Sequence, residues 1–321
     1  MTGKRQLIAL IGILWIGSAT LAVAQTWPAK PVRIIVSSAA GSGPDTLTRY
    51  LGDRLSKAIG QSVVVDNRPG ANGVIAVQAG ARAAPDGYTL LLATSSSFSV
   101  NRYTIKALPY DPIKDFVPVV LVATGGLAVI ASPRAPVKTL SDVVAFDKAQ
   151  PGKLSVSTEG QVAGTILAYI NQGLGTKLLQ VPYNSPAQAL QDTVAGRTEL
   201  SVASVIVSLP FIRRGEVHPI AVVTPRRDPS LPDVPTIGET LPGFGIYAWV
   251  MFVAPAGTPA EIVRRVNGEM NRILKDPEVE KWMLTFGNRA EGGTVEGATE
   301  FVRADSALWG EIAKAAGLKP E

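Results

Sequence analysis

The chain of 321 residues contains no cysteine. Disulfides, thiol nucleophiles and thiolate metal sites are therefore excluded. Histidine is almost as scarce, since His218 is the only one. No multi-histidine metal centre can form, and a serine–histidine relay would have to run through that single imidazole. His218 sits in RGEVHPI just before an apolar run, where a surface histidine is the plain reading. Charge is sparse as well: 18% of the residues are charged and the formal balance is +5. Basic residues occur singly or in pairs such as Arg226-Arg227, without a basic stripe interleaved with aromatics, which argues against a nucleic-acid partner. The G-x-S-x-G elbow, S-x-x-K, the Walker loop and the third glycine of the dinucleotide fingerprint are all missing. No catalytic residue, no metal and no cofactor is expected, and a secreted serine-dependent hydrolase is kept only as the alternative.

Apolar runs long enough to approach a membrane span are missing too, apart from Leu7–Leu21. Lys4 and Arg5 precede that run and Ala22-Val23-Ala24 follows it, which is the pattern of a signal peptide over 1–24, cut after Ala24. A retained span is disfavoured by the marginal length and by Trp27-Pro28 directly behind it. The mature chain is expected to be exported, with a formal charge near +3 once Lys4 and Arg5 are gone.

Apolar residues are plentiful at 46%, more than one average domain needs for its core. Strand and helix signals alternate. Val32–Val36 reads as a strand and Asp45–Ile59 as an amphipathic helix ended by Gly60. Ser62–Val65 and Thr89–Ala93 read as strands, and Val74–Ala84 as a short helix. After an apolar crossing segment, Val117–Ala131, the plan restarts. It has helices at Thr139–Ala149, Ile166–Leu174 and Pro186–Ala195, and strands at Leu154–Ser157, Leu178–Val181, Leu200–Val205 and Ile220–Val223. Trp249–Ala254 is a further strand, and helices are expected over Pro255–Leu274, Pro277–Phe286 and Gly297–Ala316. The expected class is α/β with parallel sheets in two lobes joined by crossing strands. Lobe 1 covers 25–126 plus 249–321, and lobe 2 covers 127–248.

Parallel sheets place ligands at the carboxyl ends of their strands. Here those ends are Ser37–Gly43, Thr94–Ser97, Ser157–Gly164 and Tyr183–Ser185, all rich in hydroxyls, amides or glycine. They come from both halves, so the natural site is an interlobe cleft. The chemistry that fits is a carboxylate held by backbone N–H groups. A helix N-terminus supplies about 0.3–1 kcal/mol and a charge-assisted hydrogen bond roughly 1.5–3, whereas micromolar binding needs about 8. Several such bonds from two lobes are required, which implies a cleft that closes. NRPGANG (67–73) reads as a structural turn.

WPAKPVRIIV, the glycine loop with Asp45, VVVDNRPGANG, PDGYTLLLA, YDPIKDFVPV, VPYNSPAQALQDTVAG, LPDVPTIGE and APAGTPAEIVRRVN follow in this order. Together they resemble the Bug/TctC family, the extracytoplasmic solute receptors of tripartite tricarboxylate transporters, over nearly the whole mature chain. The resemblance implies a two-lobed Venus flytrap without catalytic activity. Such a receptor hands a small organic carboxylate (a di- or tricarboxylate, an acidic amino acid or an aromatic carboxylate) to the membrane permease subunits. A ligand sensor subunit would share this chemistry. Carried across, the resemblance implies a first ligand loop at Ser37, Ser38, Ala39, Ala40, Gly41, Ser42, Gly43 and Asp45, and a second at Thr94, Ser95 and Ser96. Thr158, Gly160, Thr165, Tyr183, Asn184 and Ser204 would close from the other lobe, with Tyr183 able to stack on a planar ligand. The first loop departs from the family's P-F-P-P-G-G-G-T-D. It reads SSAAGSGPD, and Pro44 removes a hydroxyl and an N–H donor. Glu159 stands where small residues are common. Facing the cleft it would repel a carboxylate, so it is expected to point to solvent.

Overall fold

The computed structural model describes residues 27–318 and 320, apart from 184 and 287, and not the side chains of 159–161. The expected signal peptide lies outside the described residues. Two sheets organise the chain. The first has six strands in the order β11–β4–β10–β3–β1–β2: β1 is Val32–Val36, β2 Val63–Asn67, β3 Thr89–Thr94, β4 Phe116–Gly125, β10 Ala248–Pro255 and β11 Asn288–Gly292. The second has five in the order β7–β6–β8–β5–β9: β5 is Leu127–Ala131, β6 Ser155–Glu159, β7 Leu179–Tyr183, β8 Leu200–Ser204 and β9 His218–Val222. The molecule is a two-lobed α/β protein.

β1 pairs in parallel with β2 and β3, and β6 in parallel with β7 and β8. The strands are near-continuous apolar runs because both faces are covered; in TLLLAT of β3 every residue but the last is buried. The sheets are not parallel throughout, however. β10 runs antiparallel to β3 and β4, and β5 antiparallel to β8 and β9. The single crossing segment expected over Val117–Ala131 is two strands broken at Gly126. The chain leaves the first sheet as β4 and enters the second as β5. A Cβ at Gly126 would meet Val205 and the Asp228 carboxylate at 3.2 Å, so glycine lets the crossing pack closely. The return crossing runs from β9 to β10.

Helix α1, Gly43–Ile59, covers the first sheet through Leu47, Leu51, Leu55 and Ile59, all buried at four-residue spacing. Each such side chain contributes about 1.5–3 kcal/mol. Pro44 opens the helix where no N–H is needed, and Gly60 ends it at φ 71°, its N–H donating to Ser56 O. In the second lobe TEGQVAGT is not a loop: α5 spans Gly160–Leu174 and begins directly after β6. Val205–Arg213 forms a helix, α7, that Pro210 in its interior hides from a sequence reading. The last helix, α10 (Val295–Ala315), joins both lobes. Its Ala298 and Val302 sit in a core cluster of the first lobe, while Trp309 and Ile312 sit in the main cluster of the second. No helix among the described residues is long and apolar enough to cross a membrane.

Candidate ligand-binding cleft

A cavity of about 510 Å³ opens between the lobes where strand ends converge. From the first lobe it is lined by Ser37 after β1, by Gly70, Asn72 and Gly73 after β2, and by Thr94, Ser95, Ser96, Val100 and Asn101 after β3. From the second come Leu127, Val162 and Ala163 of the first turn of α5, and Val202 and Ser204 of β8, with Ala248 of the return crossing between them. Its size falls within the range of small-molecule sites. A second cavity of about 350 Å³ at the hinge, lined in part by Thr124–Gly126, Val205 and Tyr247, shares no residue with it.

The first loop is held from below. Gly41 N donates to Asp45 Oδ2 over 2.8 Å, Arg49 Nε donates to the same oxygen over 3.0 Å, and Asn67 Nδ2 donates to Oδ1 over 2.9 Å. Asn67 also donates to Ser38 O, and Ser42 Oγ donates to Ser38 Oγ. The Arg49 guanidinium, helped by the Gly41 and Asn67 donors against burial, holds the Asp45 carboxyl down at about 2. Asp45 is 2% exposed with both oxygens committed, so the expectation of a direct ligand contact is corrected: it shapes the loop.

The loop after β2 is the main departure from the sequence reading, which takes NRPGANG as a plain turn. Gly70, Ala71, Asn72 and Gly73 have φ of 120°, 48°, 51° and 86°. Alanine in the left-handed region costs about 1–2 kcal/mol, and asparagine tolerates that region better. The loop is held by Asn101, whose Nδ2 donates to Asn72 O over 3.0 Å and to Tyr110 Oη over 3.1 Å. Tyr110 in turn donates to Ser97 O over 2.6 Å, and burial pushes its hydroxyl up to about 12. This strained loop, fixed by the buried Asn101 amide and facing the cavity, stands among the candidate binding loops. The signal is present in the sequence: β2 is a parallel strand, and its carboxyl end belongs with the others.

After β3 the chain enters a π-turn, Ser96–Val100, and a short helix α3, Asn101–Thr104. Thr94 and Ser97 bond each other reciprocally: Ser97 N donates to Thr94 Oγ1 and Thr94 N donates to Ser97 Oγ, both over 3.2 Å. This turns Ser95 and Ser96 towards the cleft wall.

Of the expected contacts, the structure gathers Ser37, Thr94, Ser95, Ser96 and Ser204 around the cavity. Ser38, Ala39, Ala40, Gly41, Ser42 and Gly43 form the outer part of the first turn, outside the lining. A Cβ on Gly43 would meet nothing within 4 Å. Thr158 is fully buried, its Oγ1 accepting from Gln180 Nε2 over 3.0 Å, and Thr165 is buried within α5. Both support the cleft wall instead of facing it. Tyr183 lies on the edge strand, its hydroxyl donating to Asp192 Oδ2 over 2.8 Å, away from the cavity. Gly160 is the first residue of α5. Asn184 lies outside the described residues, as does the Glu159 side chain. Among the described lining residues none is ionisable. An anion here meets hydroxyls, amides, backbone N–H groups and the first turn of a 15-residue helix. His218, at the exposed start of β9, pairs with Ala131, and no described residue forms a hydrogen bond with its ring.

Two lobes, strand-end loops converging from both, and a cavity between them define a solute-binding receptor of the two-lobed type. The model of the tripartite tricarboxylate transporter family receptor, TctC, matches residues 47–318. The chain belongs to that family, one of receptors and not of enzymes. It is 35% identical over 318 residues to a UPF0065 protein of Bordetella bronchiseptica, covering 99% of this chain and 95% of the relative. Among solved structures, Rpa4515 of R. palustris with adipate is 32% identical at a TM-score of 0.78, covering 92% of this chain and 100% of that one. MatC from Rhodopseudomonas palustris with bound malate is 29% identical at a TM-score of 0.73, covering 89% of this chain and 100% of that one.

Proposed function

We propose that this protein is exported to the periplasm, captures a small dicarboxylate or aromatic carboxylate between its lobes, and delivers it to the permease of a tripartite tricarboxylate transporter. The carrying observation is the mixed lining of the cavity. Ser37, Asn72 and Thr94–Ser96 of the first lobe offer hydroxyls, an amide and N–H groups, and Ser204 with the first turn of α5 offers a hydroxyl and N–H groups from the second. Val100, Leu127, Val162, Val202 and Ala248 add apolar surface to the same lining. A small carboxylate carried on a short hydrocarbon chain or on a ring matches that mixture. The third charge of a tricarboxylate would have no cation to meet among the described lining residues. The relatives with adipate and malate support the same class.

A melting-temperature screen of adipate, malate, benzoate and citrate tests this. At a hundredfold excess over Kd a ligand bound to the folded state stabilises it by about 2.7 kcal/mol, which raises Tm by roughly 4–5 °C for a chain of this size. Adipate, malate or benzoate should produce that rise and citrate should not. A rise with citrate alone, or with none of the four, would remove the support for this ligand class.

A further inference from the structure

Asp305 is a carboxylate placed where carboxylates are rarely tolerated. It is 8% exposed on α10, and its Oδ2 alone accepts two hydrogen bonds, from Ser99 Oγ over 2.5 Å and from Trp249 Nε1 over 2.7 Å. Burial pushes its carboxyl up, against the lowering effect of these two donors. A buried ionisable group is costly unless it is paired, so what it joins matters. Ser99 belongs to the π-turn that carries Ser96 into the cleft, and Trp249 follows Ala248, the cleft residue of the return crossing. The neighbouring Ser306 doubles the attachment: Arg102 Nη1 donates to its Oγ over 2.9 Å and Tyr103 Oη to its carbonyl over 2.8 Å. Gly310 completes the fit, since a Cβ there would meet the Tyr103 hydroxyl at 2.9 Å. One turn further on, Trp309 and Ile312 are fully buried in the core of the second lobe, where α10 packs against α5. Val162 and Ala163 of α5 line the opposite wall of the cleft.

We propose that Asp305 is a positioning residue for the ligand cleft: it ties the Ser95–Ser96 wall and the return crossing to α10, and α10 carries the angle between the lobes to that wall. The two walls of the cleft then move as a linked pair, because the helix gripping one is seated beside the helix that forms the other. This rests on the carboxylate reading of the cleft.

The absence of cysteine makes the test clean. Lys57→Cys on α1 and Lys148→Cys on the exposed face of helix α4 (Leu140–Ala149) place one spin label on each lobe. Interlobe distances and adipate affinity are measured in this background for Asp305→Ala, Asp305→Asn and Ser99→Ala. Asp305→Ala should weaken adipate binding by about tenfold or more, the effect of removing one well-made polar interaction, and should broaden the ligand-free distance distribution. Asp305→Asn retains an oxygen that accepts from both donors, and it should stay within about threefold of the parent with a narrow distribution. If Asp305→Ala protein melts earlier but keeps both affinity and distances, the carboxylate serves stability alone and the proposal fails. If Asp305→Ala does not fold, Ser99→Ala decides: unchanged affinity and distances overturn the proposal. If the parent binds none of adipate, malate and benzoate, the reading of the ligand falls on its own, and the ligand-free distances alone decide whether α10 links the lobes.

Discussion

Replacing Gly73 with valine is expected to abolish ligand binding while leaving the protein folded. Gly73 has φ 86°, and an added Cβ would stand 3.3 Å from Ser37 Cβ and 3.4 Å from Ser97 Cβ, inside the junction of three loops that line the cavity. A left-handed backbone costs an L residue about 1–2 kcal/mol, and a β-branched one more. The loop can escape only by changing its path, which displaces the Asn72 amide and the adjoining Ser37 hydroxyl from the cavity wall. Forfeiting both of these polar partners together corresponds to an affinity drop of about a hundredfold or greater. Calorimetric titration with a ligand found in the melting screen measures the drop, and circular dichroism checks the fold. Gly43→Ala is the matched control. Gly43 lies in the first turn of α1 with open space around its Cβ position, so that change should leave affinity within about twofold. Gly73→Val protein with parental affinity would mean that the loop after β2 takes no part in binding.

The second large effect falls on stability. Asp45→Ala leaves the Gly41 N–H, the Arg49 guanidinium and the Asn67 amide without their shared acceptor. Removing one partner of a buried charge-assisted network costs about 3–5 kcal/mol; the half-exposed Arg49 can turn to solvent, which places the expectation at about 2–4. The urea midpoint should fall accordingly with an unchanged m-value. The same site predicts an acid limb. The Asp45 carboxyl is lowered in the fold, from 3.8 to about 2, so its contribution is present in full above 3.8 and is lost as pH falls from there towards 2. That difference is on the order of 2 kcal/mol. Asp45→Asn should lack this part of the acid limb. Indistinguishable acid unfolding curves for Asp45→Asn and the parent would show that the network contributes nothing at this site.

The legible parts of the chain are those governed by local pattern. β1 and α1 follow from the run VRIIV and the four-residue spacing of Leu47, Leu51 and Leu55, and Gly60 marks the helix end. Strand ends in parallel sheets point to Ser37 and Thr94–Ser96, and the family resemblance adds Ser204. Tertiary context decides the rest. Asp45 and Arg49 stand four apart on α1, which suggests a pair, but the Gly41 and Asn67 donors that make Asp45 a loop anchor come together only in the fold. NRPGANG looks like a turn because it is one; its strain and its position beside Asn101 are invisible in one dimension. Pro210 in an apolar run obscures α7, and β11, with the polar sequence NRAEG, has no apolar run to mark it although its burial alternates. α10 reads as a single amphipathic helix of the first lobe, since its periodicity does not reveal that its two halves face different cores.

A cleft whose described walls hold no titrating side chain leaves proton sensitivity to the cargo. Between about pH 6 and 9 a diacid such as adipate, with carboxyls near the ordinary range, is dissociated and nothing along the described walls changes charge, so capture should be level across that span. A flat titration profile in this window is the expected result, and it would suit a receptor whose surroundings are not buffered by the cell.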